Sequence, residues 1–374
     1  MIMRKPVIHH LDDFDGRTIV ISDLHGSLEI YEKLLRKVNY VPGQDRLILL
    51  GDLIEKGHDN LDLLHKIMKQ SQDDEVYCIM GNCDFIGKNV LLSYRLPYLK
   101  SVLLNRSESL VHEMIHELGL PALDEDTDME QLAMTLRKHY LPELSFLNDL
   151  PHILETPTTI YAHSGIVDEE IYANDYKQIM ARYQFAKEDI CFKRRVIVGH
   201  MPVSEYDSRL ASFNPIVDQQ KNIISIDGGN AVNPAGQLNA LILERNMIQM
   251  VHTDLLPKVR ARHTVHPQNG ATIYIGFANS HVEVLQRNEN QTRVFSPQLG
   301  RTFPIDTAYF DKMGAYNYTT YQLPLIAGHT FHLAGIYGDK AQVKHHGVLG
   351  WTDLKNLDVD DELKEKMQLP LKHE

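Results

Sequence analysis

Five short segments of this sequence combine glycine with side chains that commonly bind metal ions. They are residues 23–26, 51–57, 81–84, 162–165 and 199–202. Together they offer carboxylate oxygens, an amide oxygen and imidazole nitrogens. This mixed set of donors suits Mn, Fe or Zn better than Ca, which prefers oxygen alone. The sequence therefore predicts a metal centre assembled from separate parts of the chain.

Six side chains in these segments are the candidate metal ligands. They are Asp23, His25, Asp52, Asn82, His163 and His200. Two ions held by such a set would activate water and stabilise phosphoryl oxygens during in-line attack, so phosphate-ester hydrolysis is the chemistry to expect. Each residue alone also fits an ordinary role, such as a helix N-cap for Asp23 or a turn residue for Asn82. Their joint order along the chain favours the metal centre.

The elements that must position these residues are the apolar runs that precede them. The runs are 17–22, 47–50, 76–80 and 196–198, with the more mixed 158–161. Buried parallel strands have such sequences, and the loops at their carboxyl ends bind ligands in α/β proteins. Apolar residues spaced three or four apart over 28–38 and 61–68 predict helices between the first three strands. We therefore expect an α/β domain with its candidate ligands at one edge.

The remainder of the chain divides into a helical stretch and a β-rich region. Residues 85–149 have no strand pattern and are expected to be helical, and a further helix is expected over 168–187. Beyond about residue 252, short strand-like runs separated by turn residues indicate an all-β region. The sequence thus predicts a domain over residues 1–253 and an all-β appendage over 254–374.

Composition and charge limit the classes of partner. The chain has 374 residues, 43% hydrophobic residues and a net charge of −12, which argues against binding nucleic acid or an anionic membrane. No apolar run approaches the ~20 residues of a membrane-spanning helix, and the N-terminus lacks the apolar core of a signal peptide. Three cysteines without framework spacing suit a reducing compartment. We therefore expect a cytoplasmic protein with no nucleic-acid or membrane partner.

The five segments resemble, in order, the motifs of the calcineurin-like metallophosphoesterase superfamily. Within it they are most similar to the phosphoprotein phosphatase branch and its bacterial diadenosine-tetraphosphatase-like relatives, over about residues 17–245. The resemblance implies a calcineurin-like metallophosphoesterase sandwich with helical insertions. It implies that one ion is held by Asp23, His25 and Asp52. It implies that the other is held by Asp52, Asn82, His163 and His200.

Two positions depart from the pattern of the family. Lys56 stands where the family usually has arginine, and lysine keeps the charge near the substrate phosphate but loses the bidentate fork. Cys83 replaces a histidine that the family uses to protonate the leaving oxygen, helped by a carboxylate that corresponds to Asp84. General acid help is typically worth about 10²–10⁴-fold, and a thiol of ordinary pKa supplies it poorly. Cys83 could be a changed catalytic group, a redox-sensitive thiol or a small buried residue.

Arg182 lies in a segment, residues 180–185, that resembles the one with which bacterial relatives contact substrate phosphate. A surface arginine on an amphipathic helix is the equal alternative. The resemblance therefore gives Lys56 and Arg182 as candidate substrate-binding residues. It gives Lys56, Cys83 and Asp84 as candidate catalytic residues.

The β-rich end of the chain has a second, shorter resemblance. Residues 318–357 are similar to a bacterial Src-homology-three-like barrel, which implies binding of a ligand or partner. The appendage could consist of two small modules, at about 258–300 and 301–374. A protein partner or self-association through this region is the expected role.

Two functional hypotheses follow. The first is a dinuclear-metal phosphoesterase that uses metal-activated water on phosphomonoesters or phosphoanhydrides, with a phosphoserine/threonine protein or a dinucleoside polyphosphate as substrate. The second is a metal-binding regulatory or interaction protein whose catalysis is weakened by Cys83 and Lys56. Survival of all six candidate ligands favours the enzyme.

Overall fold

A computed structural model of the chain describes residues 4–73, 75–245 and 247–369. The described residues belong to two compact units. The first unit consists of the chain up to Val203 together with Pro215–Val232 and Gly236–Asp254. The second unit consists of Ser204–Asn214, Asn233–Ala235 and the chain from Leu255 onward. Two short segments of the second unit therefore interrupt the sequence of the first.

The strands are numbered in chain order. The first twelve are β1 (Ile8–His10), β2 (Thr18–Ile21), β3 (Arg46–Leu49), β4 (Val76–Cys78), β5 (Ile153–Glu155), β6 (Thr159–Ala162), β7 (Arg195–Val198), β8 (Ala211–Ser212), β9 (Ile216–Asp218), β10 (Ile223–Ser225), β11 (Leu238–Glu244) and β12 (Met247–Thr253). The others are β13 (Lys258–Ala261), β14 (Tyr274–Ile275), β15 (Glu283–Arg287), β16 (Gln291–Ser296), β17 (Arg301–Asp306), β18 (Tyr318–Thr319), β19 (Thr330–Tyr337), β20 (Lys340–His345), β21 (Val348–Asp353) and β22 (Leu357–Asp358).

The helices are numbered in the same way. They are α1 (Leu28–Lys37), α2 (Asn60–Asp73), α3 (Phe85–Leu91), α4 (Leu96–Leu104), α5 (Leu110–Glu117), α6 (Met129–His139), α7 (Leu141–Asp149), α8 (Thr307–Met313) and α9 (Asp361–Lys366).

Two sheets pack face to face in the first unit. The first sheet has the order β1-β5-β6-β7-β10-β9, and the second has the order β12-β11-β2-β3-β4. Strands β2, β3 and β4 are parallel to one another, as are β6, β7 and β10. Val20 and Ile48 of the second sheet share one buried core with Tyr161 and Ile197 of the first. The α/β domain predicted from the apolar runs is confirmed, and so is the sandwich that the family resemblance implies.

Helices α1 and α2 connect the three parallel strands of the second sheet, as expected. The buried residues of α1 are spaced to form one apolar stripe that faces the core: Ile30, Tyr31, Leu34 and Leu35. Glu29 lies in its first turn and Arg36 and Lys37 lie in its last, which favours the helix dipole at both ends. Local sequence therefore favours a helix over these residues.

Helices α3 to α7 fill the chain between β4 and β5 and are named here the helical insertion. Their bounds confirm that residues 85–149 are helical. Pro97 and Pro142 stand in the first turns of α4 and α7, where a missing backbone N–H is harmless. Ser109 caps α5 by accepting a hydrogen bond from the backbone N–H of His112, and Asp128 caps α6 in the same way.

The helix expected over residues 168–187 is absent from the described structure, so that prediction is wrong. Two short 3₁₀ turns, Tyr176–Ile179 and Phe185–Lys187, are present there. The backbone has left-handed φ angles at Tyr172 (57°) and Gln184 (48°). A residue in this conformation cannot continue a right-handed helix, and an apolar spacing pattern does not reveal it.

The second unit is rich in antiparallel strands. Its largest sheet has the order β22-β13-β19-β20-β21-β8, and β15, β16 and β17 form a smaller one. Strand β13 pairs with β19, so parts of both suggested modules share one sheet. The seven-residue α8 lies where only strands were expected. Within the described ranges, no helix has the length and apolar character needed to cross a membrane.

Candidate metal centre

The loops that follow β2, β3, β4, β6 and β7, named here the strand-end loops, carry the six candidate ligands. Backbone hydrogen bonds join these loops to one another. The N–H of Asp23 donates to the carbonyl of Gly51 at 3.1 Å, and the N–H of His25 donates to the carbonyl of Asp52 at 2.9 Å. The N–H of Gly199 donates to the carbonyl of His163 at 2.8 Å. The loops of each sheet are therefore held in register with one another.

The backbone of these loops is strained at the residues that carry the chemistry. Left-handed φ angles occur at Asp23 (56°), His25 (49°), Asp52 (48°) and His200 (68°). Non-glycine residues in this region cost energy and persist only where the surroundings enforce them. Such strain is typical of functional sites and is invisible to a strand or helix pattern.

Asp52 lies between two histidines that come from different sheets. Its Oδ2 is 3.8 Å from Nε2 of His25, and its Oδ1 is 3.4 Å from Nε2 of His163. Oδ1 also accepts a hydrogen bond from the backbone N–H of Cys83 at 2.8 Å. One carboxylate thus presents one oxygen toward each histidine, which is the arrangement required of a bridging ligand.

The tautomer of His163 follows from its neighbours. Its Nδ1 is 2.8 Å from the carbonyl oxygen of Leu50, which can only accept, so Nδ1 carries the hydrogen. Nε2 then has its lone pair free, 3.1 Å from Oδ1 of Asn82. The ring of His200 lies beside that of His163, with 5.0 Å between centroids. Fixing the tautomer through the other ring nitrogen is how proteins prepare histidine as a metal ligand.

Two groups of side chains bring their ligand atoms within 4.8 Å of one another. One group is Asp52, His163 and His200, and the other is His25, Asp52 and Cys83. Asp23 adjoins the second group, with Oδ1 4.0 Å from Nε2 of His25. All six predicted ligands are therefore brought together, and Asp52 belongs to both groups.

Burial controls the protonation of the site. Desolvation, with Lys56 nearby, lowers the pKa of His25 to about 3, and desolvation with His163 nearby lowers the pKa of His200 to about 3. Both rings are therefore neutral at physiological pH and able to donate a lone pair. Desolvation and the charge of Asp52 raise the pKa of Asp23 to about 8. Burial opposes ionisation of Asp52 as well, but attraction to the charged forms of His163, His25 and Lys56 outweighs burial and lowers the pKa of that carboxyl.

The residues present fit bound metal ions. Asp23 Oδ1 is buried and has no hydrogen-bond partner among the described residues. Leaving buried polar atoms unpaired is costly unless a ligand satisfies them. The carboxyl groups of Asp23, Asp52 and Asp227 all interact with the single cation Lys56, and Asp23 and Asp227 resist ionisation beside the other carboxyl groups. Divalent cations would bind the unpaired oxygen of Asp23 and stabilise the ionised form of these groups.

The three candidate catalytic residues occupy different positions. The Nζ of Lys56 is 3.3 Å from Nε2 of His25, and the Cys83 thiol lies in the group formed with His25 and Asp52. Burial and the charge of Asp52 raise the pKa of the Cys83 thiol well above its ordinary value. Asp84 is buried, and its carboxylate accepts hydrogen bonds from backbone N–H groups. The donors are Leu53, Ile54 and Gly81.

Arg182 approaches the site through its backbone. Its N–H donates to Oγ of Ser164, next to His163, at 2.8 Å. The guanidinium group instead forms an ion pair with Glu188, with Nε 3.1 Å from Oε1. To bind substrate as predicted, the guanidinium group would have to leave Glu188 or contact Glu188 and a substrate phosphate at the same time.

Two further buried carboxyl groups, those of Asp227 and Glu55, are not among the residues predicted from the sequence. Asp227 follows β10 in the same strand-end pattern as the ligands, interacts electrostatically with Asp23, and accepts a hydrogen bond from the backbone N–H of Gly229 at 2.7 Å. Glu55 precedes Lys56 and is 1% exposed. The position of Asp227 after a strand was a usable signal, whereas the contacts of Glu55 are made with residues distant in sequence.

Comparison with known proteins identifies the class. The sequence profile of the calcineurin-like phosphoesterase family matches residues 16–217, more than half of the chain. This match, together with the sandwich and its strand-end loops, identifies a metal-dependent phosphoesterase, which is a hydrolase. The chain belongs to the calcineurin-like phosphoesterase family.

Two similar bacterial proteins have the same name. The chain is 26% identical over 152 residues to the symmetrical bis(5′-nucleosyl)-tetraphosphatase of Enterobacter sp. (strain 638), covering 41% of this chain and 44% of that protein. It is 40% identical over 67 residues to the protein of that name from Escherichia coli O139:H28, covering 18% of this chain and 23% of that protein. The chain thus spans less than half the length of these relatives.

Two solved structures are also similar to the chain. One is a putative diadenosine tetraphosphatase, with a TM-score of 0.40 and 18% identity, covering 67% of this chain and 99% of that one. The other is a serine/threonine phosphatase from Saccharomyces cerevisiae with similarity to human PP5, with a TM-score of 0.42 and 10% identity, covering 68% of this chain and 86% of that one.

Proposed function

We propose that this chain is a two-metal phosphoesterase that hydrolyses phosphoanhydrides by attack of water. The observation that carries the proposal is the position of Asp52, with one carboxylate oxygen toward His25 and the other toward His163. A carboxylate so placed can bridge two ions. Two divalent ions bound there would supply activated water and neutralise charge on the phosphoryl group.

The residues of the site divide into two ligand sets. Asp23, His25 and Asp52 would hold one ion. Asp52, Asn82, His163 and His200 would hold the other. Lys56 would bind a phosphoryl oxygen through its ammonium group, which lies beside His25. Asp84 would hold the loops after β3 and β4 in position, because its carboxylate accepts hydrogen bonds from backbone N–H groups of both loops.

The choice of a phosphoanhydride rests on Cys83. A thiol with a raised pKa holds its proton tightly and is a poor general acid, so a leaving group that needs protonation departs slowly. A nucleotide phosphate leaves as a stabilised anion and needs little such help. Dinucleoside polyphosphate is therefore the proposed substrate class, in line with the names of the bacterial relatives. A phosphoserine or phosphothreonine protein is the weaker candidate.

The test compares substrates on metal-loaded protein. Bis(5′-adenosyl) tetraphosphate, a phosphoserine peptide and p-nitrophenyl phosphate are offered to the wild type, to Asp52→Asn and to the exposed control Asp189→Asn. We expect the anhydride to have the highest kcat/KM, and Asp52→Asn to lose metal and activity together. An active wild type that prefers the phosphopeptide would refute the substrate class. A metal-loaded wild type inactive on all three would favour the regulatory alternative, a metal-binding protein weakened by Cys83 and Lys56.

A further inference from the structure

Lys56 is held in an unfavourable backbone conformation together with the residue before it. The φ angle is 77° at Glu55 and 74° at Lys56. Two consecutive non-glycine residues with left-handed φ angles persist only when their surroundings fix them. Because the Lys56 ammonium lies 3.3 Å from Nε2 of His25, a change in this turn would displace it from the site.

Glu55 fixes the turn through three contacts. Its N–H donates to Oδ1 of Asn60 at 2.6 Å. Its Oε1 accepts a hydrogen bond from the N–H of Leu110 at 3.0 Å, and its Oε2 accepts one from Nη1 of Arg106 at 2.6 Å. Asn60 lies at the start of α2, whereas Arg106 and Leu110 belong to the helical insertion, 51 and 55 residues away in sequence.

A second carboxylate ties the same helices together. Glu113 of α5 accepts hydrogen bonds from the N–H groups of Asn60 and Leu61, at 2.9 and 2.7 Å. The start of α2 is therefore attached to α5 independently of Glu55. With α5 fixed in this way, Arg106 and Leu110 offer Glu55 a rigid anchor.

In the Arg106–Glu55 ion pair, the carboxylate is buried and the arginine side chain is partly exposed. The Glu55 side chain is 1% exposed and that of Arg106 is 32% exposed. Removing one partner of such a pair leaves a buried charge without compensation. The Glu55 carboxylate would then turn toward water or take up a proton, and either change would release its hold on the turn.

We propose that Arg106 is a positioning residue that fixes Lys56 through Glu55, so that the helical insertion controls binding of the substrate phosphoryl group. This inference rests on the proposed function, because Lys56 is there the phosphate-binding cation. It gives the helical insertion a function in addition to covering the sheet. Arg106 itself is not required to touch substrate.

The test is a double-mutant cycle between Arg106 and Lys56 on the full chain loaded with Mn²⁺. The readouts are the inhibition constant of inorganic phosphate, its dissociation constant by calorimetry, and bound Mn per chain. Arg106→Met should weaken phosphate binding about 10- to 100-fold, the loss expected when one hydrogen bond between charged groups is removed. Bound Mn should not change, and Arg106→Lys should restore most of the affinity.

The coupling separates positioning from general damage. In the Lys56→Met background, Arg106→Met should weaken phosphate binding no further, because the group that it positions is gone. Arg137→Met is the matched control, since Arg137 also lies in the helical insertion but contacts Val90 and Ser93. It should leave phosphate binding unchanged. If Arg106→Met is insoluble, Glu55→Gln combined with Arg106→Met removes the unpaired charge and takes its place in the cycle.

Each contrary result has its own meaning. Equal losses in both backgrounds, or no loss in either, would overturn the positioning role while the proposed function stands. A loss as large in Arg137→Met as in Arg106→Met would overturn it too. A metal-loaded wild type that does not bind phosphate and hydrolyses neither phosphoanhydrides nor phosphate esters would overturn the proposed function and this inference together.

Discussion

At the residue scale, Cys83 distinguishes this site from the pattern of its family. The thiol is buried beside His25 and Asp52, and its raised pKa keeps it protonated at neutral pH. Asp84, expected to assist a general acid at this position, has its carboxylate occupied by backbone N–H groups. In the proposed mechanism, the rate of hydrolysis therefore depends more on how readily the leaving group departs as an anion than on protonation by the protein.

Replacing Cys83 with histidine should extend the range of substrates. Cys83→His supplies an acid of suitable pKa, so kcat/KM on a phosphoserine peptide should rise by up to about 10²-fold. Hydrolysis of p-nitrophenyl phosphate should change little, because its leaving group needs no proton. Steady-state kinetics measures kcat/KM on both substrates and hence the ratio of the two values. Cys191→His, at an exposed cysteine, is the control. An equal rise on both substrates would contradict the proposed role of the leaving group.

His152 should make stability depend on pH. Burial, with Lys88 nearby, lowers the pKa of His152 to about 4, and its Nδ1 accepts a hydrogen bond from the N–H of Val7. The unfolded chain, with a pKa near 6.5, binds this proton more tightly. The contribution of neutral His152 to the free energy of unfolding is therefore complete above about pH 6.5. It declines as pH falls toward 4, by about 3 kcal/mol in the limit.

The variant His152→Asn keeps an acceptor for Val7 but does not titrate. We expect its free energy of unfolding in urea to fall less than that of the wild type between pH 7.5 and pH 5. Both proteins are compared in chelator, so that loss of metal ligation does not contribute. Parallel pH curves for the two proteins would show that His152 is not the group responsible.

At the scale of elements, the strand-end loops approach too closely for side chains at some positions. A Cβ added at Gly81 would lie 2.1 Å from the backbone N of Asp52 and 2.2 Å from its Oδ1. No rotamer change can relieve contact with backbone, so the loop after β4 would move away from the loop after β3. Asp52 would then be displaced from its place between His25 and His163.

Gly81→Ala should therefore lower the metal content of the protein as well as its activity. Metal per chain, measured after dialysis against Mn²⁺, should fall below that of the wild type. Gly270→Ala is the control, because a Cβ there meets no atom within 4 Å. Full metal occupancy in Gly81→Ala would mean that the loops tolerate more separation than this geometry allows.

The elements that sequence predicted well are those with a strong local signal. The strands before the six ligands are short buried runs, and α1 has one apolar stripe with suitable charges at both ends. The seven-residue α8 was missed because two turns give too short a periodic signal. The contact of Arg106 with Glu55 could not be predicted, since it joins residues 51 apart through packing of the helical insertion. The ion pair of Arg182 with Glu188 likewise depends on a loop conformation that the apolar pattern misassigned to a helix.

At the scale of the whole molecule, all six candidate ligands lie in the first unit. The division at residue 253 into a phosphoesterase domain and an appendage stays a prediction, as does the role of the appendage in binding a partner. The second unit includes Ser204–Asn214, in which β8 pairs with β21 and Phe213 is fully buried. A chain cut after Asp254 would lack β21, the strand with which β8 of this segment pairs.

A chain ending at Asp254 and carrying Phe213→Ser tests where the chemistry resides. It should bind Mn²⁺ and hydrolyse p-nitrophenyl phosphate, because no candidate ligand has been removed. The serine replaces an aromatic side chain that the cut would otherwise leave uncovered. Metal analysis and steady-state kinetics against the full chain measure both properties. A soluble, metal-loaded but inactive protein would show that residues beyond 254 complete the active site.

The most direct test of the central claim is the response of hydrolysis to metal in wild type and Asp23→Asn. Each protein is stripped with chelator, titrated with Mn²⁺, and assayed on p-nitrophenyl phosphate. We predict that the wild type gains activity that saturates at two ions per chain, and that Asp23→Asn stays at least about 10²-fold lower, because water is no longer activated by a complete pair of ions. Equal turnover in the two proteins, or turnover in the wild type that is independent of metal, would contradict a two-metal phosphoesterase.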